Sequence, residues 1–140
     1  VLNNALGYEL YVPAKTMNFP GIQEFIARYQ KEATGQGVDP LGFYVPPFIY
    51  SAMEVVGQAV EKSKSLDQKV LAKTIHDNEF STIVGKIRFA PNGEWTEPRV
   101  LMVQYRGIEG NSVDQFRDAD RYSILYPPAF KSGDVVLPYR

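Results

Sequence analysis

The sequence predicts an α/β fold whose sheet is incomplete. Apolar residues recur at helical spacing in three segments before Asn78. From Thr82 onward the alternation shortens to period 2. The readable strands are few and mostly C-terminal, whereas a doubly wound layer carries about one strand per helix.

Leu6 to Val12 (LGYELYV) reads as a short aromatic strand stopped by Pro13, and Ala14 to Phe19 as loop. A first helix spans Pro20–Ala33. Pro20 suits the first turn, where its missing N–H costs nothing. Ile22, Phe25, Ile26, Tyr29 and Ala33 then share one face. Gly35 and Gly37 stop it, since glycine accepts the left-handed conformation at little cost. A second helix spans Pro47–Lys62 with a broad apolar face built from Phe48, Ile49, Ala52, Val55, Val56, Ala59 and Val60. So wide a face needs cover on more than one side. Its small residues (Ser51, Ala52, Gly57 and Ala59) let a neighbour approach closely. A third helix spans Gln68–His76, introduced by a Ser65-Leu66-Asp67-Gln68 capping box with Ser65 as cap. A β-hairpin is then expected over Ile83–Arg106. Its turn is Ala90-Pro91-Asn92-Gly93, its return strand is VLMVQYR, and Trp95 and Pro98 lie in the approach. Val113 to Ala119 reads as one weak helical turn, Tyr122 to Leu125 as a last strand, and the proline-punctuated tail as irregular.

Composition narrows the function. The chain has 140 residues, 44% hydrophobic and 22% charged, the balance of a globular domain. Net charge is −1 with no basic stripe, which argues against nucleic acid as a partner. No apolar run approaches the roughly 20 residues of a membrane span. Cysteine is absent, so this chain has no disulfide, thiolate nucleophile or Cys-ligated metal. His76 is the one histidine, and its neighbours Asp77 and Glu79 do not follow a metal-ligand spacing. We therefore expect no metal and no cofactor. Ser51, Ser63, Ser65 and Ser81 lack a base at any recognisable spacing. Glu94 and Glu97 flank Trp95 beside a turn, where carboxylates are normally wet rather than a glycosidase pair. Glycines 35, 37, 107 and 110 precede no Lys-Ser/Thr and form no phosphate loop. No catalytic residue is assigned, and the chain is read as a non-enzyme.

The richest stretch is Gly35 to Asp67, GQGVDPLGFYVPPFIYSAMEVVGQAVEKSKSLD. A Gly/Asp/Pro loop there presents aromatic rings at the mouth of an apolar helix. Together with YELYVPAKTMNFPG, IQEFIARYQKEATG, FSTIVGKIRFAPNGEW and VLMVQYRGIEG, taken in that order, it resembles the C-terminal portion of the type I periplasmic solute-binding proteins of ABC transporters, the leucine/isoleucine/valine-binding branch. The resemblance covers nearly the whole chain but only the last third or so of a family member. The absence of an initiator Met fits a mature or cut-down segment.

That resemblance implies a fragment of a two-lobe periplasmic-binding-protein type I fold. Residues 1–13 would hold an inter-lobe crossing strand. Residues 14–80 would pack on the N-terminal lobe, and 81–140 would lead toward the hinge and second lobe. It implies capture of a small amino-acid-like ligand, a branched-chain or other hydrophobic amino acid or a small carboxylate, and its delivery to an ABC permease. The location would be periplasmic, free or lipid-anchored. Groups that clamp the ligand's charged ends would lie upstream. This segment would supply apolar wall, with Tyr44 first, then Phe43 and Phe48. The missing N-terminal part, or self-association, would cover the second helix. The alternative is a freestanding structural or interaction domain that oligomerises through that helix face.

Overall fold

The computed structural model describes residues 2–97 and 99–138. Pro98 therefore lies outside the described residues, as does the end of the tail. The chain divides into two compact units: residues 1–18, 26–44 and 99–140 form unit 1, and 19–25 and 45–98 form unit 2.

Unit 1 is built on an antiparallel three-stranded sheet. Strands β1 (Leu6–Glu9), β4 (Leu101–Tyr105) and β5 (Tyr122–Tyr126) lie in the order β1-β4-β5. Leu6 faces Gln104 across the first pair, and Tyr105 faces Tyr122 across the second. Leu101, Val103 and Ile124 are fully buried with Tyr11, Val12 and Met17. Gln104 is equally buried and fully bonded. Its Nε2 donates to the carbonyls of Asn4 and Val136 at 2.8 and 2.9 Å, while its Oε1 accepts from the Val136 N–H at 2.8 Å. This polar clamp ties the tail to the sheet, so the segment read as irregular is anchored without being a strand.

Glu9 accepts a 2.8 Å hydrogen bond from the Tyr105 hydroxyl. Burial pushes its carboxyl above the usual range, and this bond pulls it part of the way back. A carboxyl whose folded pKa is raised contributes stability that is complete below its unfolded pKa and is lost as pH rises through the folded value. Glu9→Gln keeps an acceptor for Tyr105 and removes the charge. Thermal melts between about pH 4 and about pH 7 are expected to show a flatter pH dependence in the variant, with its gain over wild type confined to the upper end.

Unit 2 is a helical layer on a two-stranded hairpin. Helix α1 (Ile22–Ala33) starts in unit 2 and continues into unit 1, burying Ile22, Ile26 and Ala33 as the periodicity predicted. Its first turn begins after Pro20, not at it. Helix α2 (Pro46–Ser63) and helix α3 (Gln68–Asp77) follow. Val55, Ala59 and Phe80 form the core of the unit, with Leu71, Ile75, Ile87 and Phe89 packed against it.

Two expectations in this unit are corrected. The hairpin is β2 (Glu79–Thr82) with β3 (Gly85–Arg88), pairing Phe80 with Ile87. Its turn is the buried pair Ile83-Val84. The Thr82 hydroxyl donates to the Gly85 carbonyl at 2.8 Å, and Gly85 takes φ +100°. The Asn-Gly turn does form, with the Gly93 N–H on the Ala90 carbonyl at 2.8 Å, but it returns the chain only to a single bridge between Phe89 and Trp95. VLMVQYR belongs to the other sheet, where it has two partners. The second correction concerns the α3 cap. Asp67 Oδ1 accepts from the N–H groups of Lys69 and Val70, each at 3.0 Å, while Ser65 Oγ accepts from the Asp67 N–H. Aspartate two positions closer satisfies the free helix donors directly and adds negative charge at the positive helix end. Asp67→Ala is expected to cost about 1 kcal/mol in a urea melt, and Ser65→Ala clearly less.

The apolar face of α2 is only partly covered. Pro47, Ser51, Val55 and Ala59 form a narrow buried stripe at four-residue spacing. Ile49 and Met53 remain 61% and 65% exposed, with Tyr50 and Val56 beside them also exposed. Among the described residues, no helix is long and apolar enough to cross a membrane, and no cluster of three metal-ligating side chains forms.

Candidate functional site: an aromatic loop and an apolar cleft

The loop before α2 is braced by its own polar residues. Asp39 Oδ1 accepts from the Leu41 N–H at 3.0 Å, and Oδ2 accepts from the Gly42 N–H at 3.1 Å. From α1, the Tyr29 hydroxyl donates to the Asp39 carbonyl at 3.0 Å and Gln30 Nε2 to the Leu41 carbonyl at 2.9 Å. Gly42 sits at φ +70°, where a side chain is strained. These four contacts fix the backbone just before the aromatic pair. The Asp-Pro-x-Gly composition signals an Asx turn, but neither helix donor is marked in the sequence.

The three predicted wall residues have different surroundings. Phe43 is 6% exposed, its ring edge-on to Tyr11 with centroids 5.8 Å apart. Tyr44 is 54% exposed, so its ring is available to a ligand or another surface. Both belong to unit 1, whereas Phe48 belongs to unit 2. There Phe48 lines an apolar cleft of about 280 Å³ with Ser51, Ala52, Val55, Ile75, Ile87, Phe89 and Trp95. Ser51 is 1% exposed and its hydroxyl has no hydrogen-bond partner.

The other sequence candidates are engaged in local structure. His76 Nδ1 lies 3.1 Å from Asp77 Oδ1, and hydrogen bonds from Lys73 and His76 hold the Asp77 carboxyl below its usual range. Glu79 pairs with Lys86 at 2.7 Å, and Glu94 accepts from Asn92 at 2.9 Å. Ser63 and Ser65 bond each other and the backbone before α3. The structure brings none of these serines to the histidine through a hydrogen bond among the described residues.

No family model matches the chain, and no curated protein does. Among solved structures, the leucine binding protein LivK of Thermotoga maritima is similar, with a TM-score of 0.55 and 21% identity over 76% of this chain. The chain has the fold of a fragment of a type I periplasmic binding protein. It spans 29% of the length of that neighbour. Mixed α/β architecture with three helices and small sheets agrees with the expected fold class.

Proposed function

We propose that this chain is the C-terminal part of an extracytoplasmic solute-binding protein that captures a small amino-acid-like ligand for an ABC permease, without doing chemistry. The observation that carries the proposal is the fold shared with a leucine binding protein, combined with a rigidly braced loop that leaves Tyr44 exposed. Tyr44 is the first candidate for apolar wall, followed by Phe43 in the same unit and, separately, Phe48 in unit 2. The preferred ligands are branched-chain or other hydrophobic amino acids, then small carboxylates. Residues 1–13 mark an inter-lobe crossing, 14–80 the part that meets the N-terminal lobe, and 81–140 the approach to the hinge. The compact units divide the chain at other points, joining 99–140 with 1–18.

A thermal-shift screen of the longer protein that carries this chain tests the proposal. Leucine, isoleucine or valine at about a hundred times its Kd should stabilise by about 2.7 kcal/mol, a rise of several degrees. Tyr44→Ala should weaken binding about tenfold, the loss of one buried ring face. No shift from any aliphatic amino acid or small carboxylate would sink the proposal. The 140-residue chain alone should bind weakly or not at all, since it holds one wall of the cleft.

A second reading, a freestanding domain that oligomerises through α2, draws on the exposed Ile49, Met53 and Val56. Gly57 separates the two readings. It lies within α2, exposed, and a methyl group added to its Cα would meet nothing within 4 Å. In a chain whose helix stays open, Gly57→Ala should stabilise by about 0.5–1 kcal/mol. In the longer protein, where a close-packed element covers this face, the same change should give no gain or a loss. Absence of the gain in the isolated chain, where self-association would cover this face, would favour the freestanding domain.

A further inference from the structure

We propose that the unit 2 cleft beneath α2 is a second binding site, for a small aromatic molecule carrying a single hydroxyl or N–H group. Phe48, Phe89 and Trp95 supply ring walls, and Val55, Ile75 and Ile87 aliphatic ones. Its volume of about 280 Å³ sits just below the range of drug-sized pockets and is nearly twice the ~150 Å³ that accommodates benzene in an apolar cavity. One ring, or two fused rings, fits that space.

The polarity of the ligand follows from Ser51. Ser51 is one of the residues that line the cleft, and its buried hydroxyl has no partner, a state that costs free energy until something bonds it. A helical serine commonly bonds back to the carbonyl four residues earlier, which this hydroxyl does not do. Water is a poor occupant, because it needs two to four polar partners and, apart from Ser51 and the Trp95 indole N–H, the lining side chains are hydrocarbon. A molecule with a flat apolar body and one donor or acceptor satisfies both features. It lacks the two charged ends of an amino acid, so it is a different ligand class from the solute proposed above, with Phe48 the one residue named for both.

Trp95 is the only tryptophan in the chain and lines the cleft, so its fluorescence reports occupancy directly. Phenol and toluene are the probes, alike in shape and different only in hydroxyl against methyl. Phenol should give a saturable Trp95 response, and Ser51→Ala should weaken phenol roughly five- to tenfold while leaving toluene unchanged. Ser51→Ala removes no bonded group, so the fold should survive, which far-UV circular dichroism checks. Ala52→Leu, at the exposed rim, narrows the cleft without touching the core and should weaken both probes. A Trp95 response that fails to saturate, or an unchanged phenol-to-toluene ratio in Ser51→Ala, would overturn the proposal.

Discussion

Phe80→Ala is expected to lower stability by about 3–5 kcal/mol, the largest effect of any single truncation in unit 2. Phe80 is 1% exposed and sits where three elements meet. It pairs with Ile87 across the hairpin, and Val55 and Ala59 of α2 pack against it together with Leu71 and Ile75 of α3. Removing the ring leaves a cavity that α2 and α3 cannot close without losing their own contacts. Such a loss is a third or more of the ~5–15 kcal/mol total of an ordinary domain. A urea melt should show a much lower midpoint, with the slope retained if unfolding stays two-state. Leu66→Ala in the same unit provides the control. Its side chain is 80% exposed and off the α2 face, so truncation should change stability by no more than about 0.5 kcal/mol. Equal losses at the two positions would mean that the core of unit 2 is misplaced.

Gly42→Ala should be nearly as damaging, and through the aromatic loop. The residue has φ +70°, and an added Cβ would lie 2.2 Å from Cδ1 of Tyr29. Left-handed strain contributes about 1–2 kcal/mol, and forcing Tyr29 aside contributes about 1–3 kcal/mol more. Tyr29 holds the Asp39 carbonyl, so its displacement releases the turn that sets Phe43 and Tyr44. The expected result is a loss of about 2–5 kcal/mol in a thermal or urea melt. On the proposed solute-binding role, ligand affinity in the longer protein should fall with it, even though Gly42 has no side chain to touch ligand. A variant that melts like wild type would show that the loop is not braced as described.

The helices were legible because their signals are local. The face of Ile22, Ile26 and Ala33 on α1 is the one buried, and α2 and α3 begin and end within a residue or so of the expected bounds. The strand pairings were not legible, for two reasons. The turn of the β2–β3 hairpin is Ile-Val, which carries no turn composition. Its geometry depends on a threonine side chain and the positive φ of Gly85. The Asn-Gly turn drew VLMVQYR into the wrong hairpin, although a strand with both neighbours distant in sequence leaves no local trace of its partners. The candidate site shows the same division. The aromatic loop stands out by composition, and Asp39-Pro40-Leu41-Gly42 marks a turn. Nothing in the sequence shows that Phe43 turns inward onto Tyr11 while Tyr44 turns out, or that Ser51 faces the cleft without a partner.

In the proposed function this chain is one segment of a larger binding fold whose other part covers α2. Light scattering on the purified protein, read beside its intact mass, decides whether that is so. The expected particle is larger than the 15.8 kDa of one chain. It would be a complex that retains a second segment, because soluble monomers rarely expose apolar patches beyond a few hundred Å²; self-association through Ile49, Met53 and Val56 with no second segment would favour the freestanding reading instead. A single 15.8 kDa species that melts cooperatively as a monomer would contradict it.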